Sequence, residues 1–211
     1  MHILMVIPSF FPVVGGAERQ LLGLAKYMSS ADLEVTIFTR SLKKVSSREF
    51  FSETLVIRAA GFCYPYFFLV RLFFHIIKNR KKYSIIHVHT LNSPMFVCVL
   101  AGFFLKVPVI VKATRSGEGS QLARIKKSVF YGALAIGLCK VASRVIAITS
   151  DVQSSLVNLG VPENKIVDIP NGVEINVGIE KQYKSNNFVF IGRLIKRKRV
   201  DLLLSCWADA D

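Results

Sequence analysis

Residues 1–28 read MHILMVIPSFFPVVGGAERQLLGLAKYM, and this stretch decides the fold. Residues 3–7 are a near-continuous apolar run closed by Pro8, which marks a buried parallel strand rather than a half-exposed one. Residues 9–14 bend the chain, Gly15 and Gly16 follow, and a helix is expected to open at Ala17. Leu21, Leu22, Leu24, Ala25 and Met28 recur near helical spacing and give it an apolar stripe. Strand, glycine loop and helix are the first unit of an open α/β sheet, in which ligands bind outside the carboxyl ends of the strands. Paired glycines let a ligand approach the backbone, and a helix start favours an anion. The same residues also fit a tight strand-to-helix turn that binds nothing, because the full dinucleotide fingerprint is absent.

The chain has 211 residues, of which 52% are hydrophobic, enough for one large domain or one and a part. Lys and Arg total 28 against 14 Asp and Glu, a formal charge of +14. That sign favours anionic partners: nucleic acid, phosphorylated ligands or an anionic membrane surface. A nucleic-acid binder fits the charge but no motif, since the cations are scattered rather than interleaved with aromatics. Cys63, Cys98, Cys139 and Cys206 form no CxxC pair and lie among apolar neighbours, which reads as buried free thiols in a reducing compartment. The N-terminus does not read as a signal peptide, and no segment reaches about 18 uncharged apolar residues, so no membrane span is expected.

Further strands are expected at 34–39, 54–59, 84–88, 107–113, 144–148 and 165–169, with 41–52 as a polar, basic loop. A helix over 65–82 is apolar almost all round, with Arg71, His75, Lys78 and Lys82 on one narrow stripe. It reads either as a helix packed on the sheet with one wet edge or as one facing lipid, its cations near anionic headgroups. Ser93 is expected to cap a helix after the 84–88 strand, a long helix should span 122–140, and Asp151 should cap a helix over 152–159. Residues 178–187 read as a linker and 188–191 as the first strand of a second sheet. Strands alternating with helices argue a doubly wound parallel sheet.

Five loops at strand ends hold most of the unusual polar residues. They are Gly15–Glu18 in GGAE, His87 with His89, the 112–121 loop with Lys112, Thr114 and Arg115, residues 149–151, and the Pro170-Asn171-Gly172 turn. The two histidines, at alternate strand positions, are expected on opposite faces, which argues against a shared metal; either is structural or points into a cleft. Residues 149–151 bind an anion or simply cap a helix.

Five segments in one order, GGAE, IIHVHT at 85–90, VIAITSDV at 145–152, IPNGVE at 169–174 and FIGRLIKRKRVDLLL at 190–204, resemble the retaining GT-B glycosyltransferases of family 4. The resemblance implies a Rossmann-like α/β domain over 1–183 that holds the acceptor. It also implies a linker and the first strand and helix of an incomplete donor-binding domain over 184–211. It implies transfer of a sugar from a nucleotide sugar to a glycan or polyprenyl-diphosphate-linked acceptor, with retention and without a metal or other cofactor. His89, Arg193 and Lys198 would be catalytic, the last two as the basic pair that neutralises the leaving diphosphate. Gly15, Gly16, Glu18, His87, Lys112, Thr114, Arg115 and Asn171 would bind substrate. Thr114 stands where many members carry a histidine. The family's paired glutamates would fall beyond residue 211, so the chain alone is expected to be inactive. A non-catalytic truncated product and a nucleotide-sugar epimerase are the alternatives. The expected setting is cytoplasmic, peripheral on the inner face of a membrane.

Overall fold

The computed structural model describes residues 1–41, 45–51, 53–59, 65–117, 119–173, 189–192 and 194–208. The chain divides into two compact units, Met1–Glu174 and Ile175–Asp211.

The first unit is one eight-stranded sheet. Its strands are β1 (His2–Val6), β2 (Glu34–Arg40), β3 (Arg48–Phe51), β4 (Thr54–Ala59), β5 (Ile85–Val88), β6 (Val109–Ala113), β7 (Arg144–Ala147) and β8 (Ile166–Asp168). Their order is β3-β4-β2-β1-β5-β6-β7-β8, parallel except for β3, which runs antiparallel to β4. The fold is α/β, with the open, parallel-dominated, doubly wound sheet of a Rossmann-like domain. All five residues of β1 are buried, as the unbroken apolar run requires of a central parallel strand covered on both faces.

One face is covered by α1 (Gly16–Ser30), whose Leu21 and Ala25 pack on Met5, Ile37 and Val56. The other is covered by α2 (Pro65–Lys78), α3 (Ser93–Leu105), α5 (Val129–Val141) and α6 (Ser150–Asn158), with α4 (Gln121–Lys127) leading into α5. Phe68 and Leu72, Cys98 and Val99, Ala135 and Leu138, and Val152 and Leu156 join this larger core.

Four expectations change. Residues 48–51 are not loop but the edge strand β3: Phe51 packs on Phe10 and Phe11 with ring centroids 5.9 and 5.5 Å apart, and Glu49 pairs with the buried Arg58. The helix over 65–82 ends at Lys78, where the Asn79 side chain donates to the His75 carbonyl at 2.8 Å, so Lys82 lies off the stripe. His75 leaves the stripe as well, because its Nε2 meets Tyr83 Oη at 2.7 Å and its ring lies 4.8 Å from Phe38. The long helix breaks at Ser128, which is extended (φ −115°, ψ 113°), and Gly132 lets the corner close against the Ile125 carbonyl.

Helix starts differ in detail. Asn92 rather than Ser93 is the N-cap of α3, and Thr149 rather than Asp151 caps α6, its Oγ1 accepting from the Val152 amide at 3.3 Å. Cys98 and Cys139 are buried free thiols, whereas Cys206 is exposed and Cys63 lies outside the described residues.

In the second unit, the described residues 189–191 form no strand, although residue 188 of the expected strand is outside the described set. A 3-10 turn, Lys196–Lys198, precedes α7 (Val200–Ala208), in which Leu202, Leu203, Leu204 and Trp207 are exposed. The linker expected at 178–187 also lies outside the described residues.

Candidate functional site

The chain runs outward from β1 to β2 and β4, then returns to start the other half of the sheet at β5. β1 and β5 are therefore neighbours across the topological switch point, and the crevice at their carboxyl ends is where an open α/β sheet receives a ligand.

His87 lies in β5 opposite Met5 of β1, and His89 follows the strand end, its amide donating to the Val6 carbonyl at 2.9 Å. The expected opposite orientation is wrong. Side chains two residues apart share one face of a strand, and the two imidazoles stack with centroids 4.1 Å apart. Both are buried, at 5% and 6% exposure, and each Nε2 has no hydrogen-bond partner among the described residues. Burial, reinforced by Lys112, lowers His87 to about 4; burial, His87 and Lys112 hold His89 well below the ordinary histidine value. The pair is neutral at pH 7 and presents two uncharged ring nitrogens rather than cations.

Lys112 is the buried cation of the site. It sits in β6 two residues beyond Ile110, which faces His87 in the register, so it shares the histidine face. Its Nζ donates to Gln20 Oε1 of α1 at 2.9 Å and to Asn171 Oδ1, beyond β8, at 2.8 Å. No carboxylate pairs with it among the described residues, and burial lowers its pKa. One ammonium thus ties the helix after the glycine loop to the turn that follows the last strand.

The glycine loop opens on the same end of the sheet. Gly15 is the N-cap of α1 in extended conformation, without a side-chain cap. The first helical amides have no acceptor within the helix, as at any helix start. A Cβ on Gly16 would meet no protein atom within 4 Å, so its backbone faces open space. A Cβ on Gly15 would meet Glu18 Oε2 at 2.5 Å: the glutamate curls back over the loop. The preceding segment is held by Arg58, 3% exposed, which donates to the Phe11 carbonyl at 2.9 Å, to the Ser46 carbonyl at 3.2 Å and to Glu49.

Gln121 braces the segment after His89. It accepts from the Leu91 amide at 2.8 Å and donates to Thr90 Oγ1 at 3.0 Å, while Tyr131 Oη donates to the Leu91 carbonyl at 3.0 Å. Asn92 Oδ1 is buried there without a partner among the described residues. Gln20, Gln121 and Tyr131 escape sequence reasoning, because no motif distinguishes them from other polar residues on helices.

The structure thus gathers Gly15, Gly16, Glu18, His87, His89, Lys112 and Asn171 at the carboxyl end of one sheet. Thr114 is half-buried just past β6. Arg115 is exposed and donates to the Gly119 carbonyl, folding its own loop, in which Gly117 and Gly119 hold the left-handed φ values of 79° and 66° that favour glycine. Arg193 lies outside the described residues, and Lys198 ends the short turn of the second unit.

A doubly wound sheet with a glycine loop and buried polar groups at its switch point defines a Rossmann-like ligand-binding domain. Residues 14–177 match Glycosyltransferase Family 4, and the chain belongs to that family. No curated protein matches the chain. Among solved structures, Anabaena HepE in complex with UDP and glucose is similar with a TM-score of 0.59 and 19% identity, covering 82% of this chain and 45% of HepE. The lipopolysaccharide outer core galactosyltransferase WaaB is similar with a TM-score of 0.58 and 12% identity, covering 87% of this chain and 50% of WaaB. The UDP-GlcNAc 2-epimerase of Neisseria meningitidis, bound to UDP-GlcNAc, gives 0.52 at 12% identity, covering 81% of this chain and 47% of the epimerase. The chain spans about half the length of the solved structures it matches.

Proposed function

We propose that this chain carries the acceptor-side domain of a glycosyltransferase that moves a sugar, with retention, from a nucleotide sugar to a glycan or polyprenyl-diphosphate-linked acceptor on the cytoplasmic side of a membrane. The observation that carries the reading is the family match over residues 14–177, which contains the glycine loop, both histidines and Lys112.

The chemistry of the site is consistent with it. Neutral His87 and His89 suit hydrogen bonding to a sugar hydroxyl, and a neutral imidazole can accept its proton. The open Gly16 backbone at the start of α1 suits a phosphate. Lys112 places an amine close by, with no carboxylate among the described residues paired to it to compete for an anion. In the second unit Arg193 and Lys198 would stabilise the leaving diphosphate as its charge grows. The reading needs neither a protein nucleophile nor a metal.

Epimerase neighbours of similar architecture support a second reading, in which the nucleotide sugar is itself converted. Calorimetric titration separates the two. A polyprenyl-diphosphate-linked sugar should release binding heat that is lost in His89→Ala. Absence of acceptor binding by a folded chain, or conversion of UDP-GlcNAc to its 2-epimer without acceptor, would displace the transferase reading.

A further inference from the structure

On the face away from α1, three neighbouring helices turn apolar stripes to solvent. On α2, Tyr66, Val70, Phe73, Phe74 and Ile77 are 38–73% exposed at helical spacing. On α3, Leu100, Phe103 and Phe104 are 47–77% exposed. On α5, Phe130, Leu134 and Val141 are 48–92% exposed and repeat at the same spacing. Each helix also buries a second apolar stripe in the core: Leu72 and Ile76, Cys98 and Val99, Leu138 and Cys139. These helices are therefore apolar on both sides, whereas α1 on the opposite face shows Arg19 and Lys26 to water. Scattered exposed hydrophobes need no explanation, but three adjacent stripes that include the Phe73–Phe74 and Phe103–Phe104 pairs do.

The charge around the stripes has one sign. Residues 65–141 contain twelve Lys and Arg and a single acid, Glu118. Arg71 is exposed midway along α2, and the other cations stand at the ends of the stripes: Lys78 in the last turn of α2 and Arg80 and Lys81 after it, Lys106 at the C-cap of α3, Lys127 before α5 and Lys140 in its last turn, all exposed. The C-terminal ends of α3 and α5 meet beside the start of β6, where Phe103, Lys106 and Val141 line one groove of about 250 Å³. The stripes run along the helical face, and of the cations at their ends all but Lys127 lie toward the amino ends of the strands, away from the histidine pair.

We propose that the α2–α3–α5 face is a peripheral docking surface for an anionic lipid bilayer. Aromatic side chains in the middle of the face enter the interfacial region while lysines at its edge reach the headgroups. No helix among the described residues is long and apolar enough to cross a membrane, so the contact lies in the plane of the interface. A second copy of this face is the poorer occupant, because two surfaces with this excess of cations repel each other. The surface stands on its own residues and does not depend on the transferase reading.

The test is flotation of the full chain with vesicles of phosphatidylcholine alone or with added phosphatidylglycerol. Binding should require the anionic lipid and fall with salt. Lys106→Glu/Lys140→Glu should weaken it by roughly tenfold or more, as should Phe103→Ser/Phe104→Ser. Circular dichroism checks that each variant is folded; the charge variant changes only exposed side chains, so it serves even if the aromatic one fails to fold. Equal binding to neutral vesicles overturns the proposal, as does unchanged binding in both variants. Failure to bind any vesicle also overturns it, and concentration-dependent dimerisation in sedimentation would reassign the face to a second copy of the chain.

Discussion

Lys112 Nζ donates to Asn171 Oδ1 at 2.8 Å, joining two residues 59 positions apart at the carboxyl end of the sheet. Hydrogen bonds to a charged group contribute roughly 1.5–3 kcal/mol, and less where one partner is open to water, as the exposed Asn171 is. Asn171→Ala is expected to destabilise the domain by about 0.5–1.5 kcal/mol. In a double-mutant cycle with Lys112→Met, the two effects should be coupled by about 0.5 kcal/mol or more. Additive effects in urea denaturation would mean that the contact is not made in solution.

The stacked histidines set an acid limit on stability. In the folded chain His75 and His87 are each lowered from 6.5 to about 4, chiefly by burial, and His89 lies well below its ordinary value. Below pH 6.5 the unfolded chain takes up protons that the folded chain refuses. Stability from these groups is complete above pH 6.5 and is lost as pH falls toward 4. Each histidine adds up to about 1.4 kcal/mol per pH unit to the slope in that window. Denaturation between pH 4.5 and 7.5 should show this fall, and His87→Gln should flatten it by about one histidine's share. An unchanged slope in that variant would contradict the burial of His87.

Arg58 carries the loop that presents the glycines. Its guanidinium holds the Phe11 and Ser46 carbonyls and Glu49, and among the described residues no other donor reaches the Phe11 carbonyl. Arg58→Met keeps the apolar stem and removes all three interactions. The expected cost is about 2–4 kcal/mol, with proteolysis appearing first in the segment before Gly15. A variant as stable as the parent would show that the β3 edge and its aromatic packing suffice.

The contrast between Gly132 and Gly137 of α5 tests the corner at Ser128. A Cβ on Gly132 would run into the Ile125 carbonyl, whereas one on Gly137 would meet nothing within 4 Å. Gly132→Ala should cost about 1–3 kcal/mol through overpacking against backbone. Gly137→Ala should gain about 0.5–1 kcal/mol, the ordinary benefit of alanine inside a helix. Thermal unfolding of the two variants should therefore move in opposite directions.

What could be read from the sequence follows from burial. Residues 3–7 and 109–113 are covered on both faces, so their apolar runs mark them as strands without reference to neighbours. Lys112 stands out because it interrupts such a run in VIVKA. β3 escapes the sequence because an edge strand turns only alternate residues inward, here Glu49 and Phe51, so Phe50 faces water and no apolar run or apolar/polar alternation marks it. The break at Ser128 depends on how Gly132 meets Ile125, a contact that helical periodicity does not encode. The histidine pair departs from the expectation on parity alone: residues 87 and 89 are two apart and share a face. Gln20 became part of the site only when the fold brought it to Lys112 across 92 positions.

The glycine loop decides between a ligand site and a plain turn, and Gly16 separates the two. Gly16 begins α1 with an ordinary backbone and no protein atom within 4 Å of an added Cβ. Gly16→Ala should therefore leave stability unchanged or raise it by about 0.4–1 kcal/mol, since alanine restricts the unfolded chain more than glycine does. If the exposed backbone is where a phosphate-bearing ligand lies, the added methyl group stands between that ligand and the free amides of the first turn. The expected result is a folded, equally stable protein whose affinity for a diphosphate-linked sugar falls by roughly tenfold, about 1.4 kcal/mol. Gly15→Ala meets only the movable end of the Glu18 side chain, and its effect on affinity should be smaller. Full affinity in Gly16→Ala, measured by calorimetry beside its thermal midpoint, would reduce the paired glycines to a strand-to-helix turn.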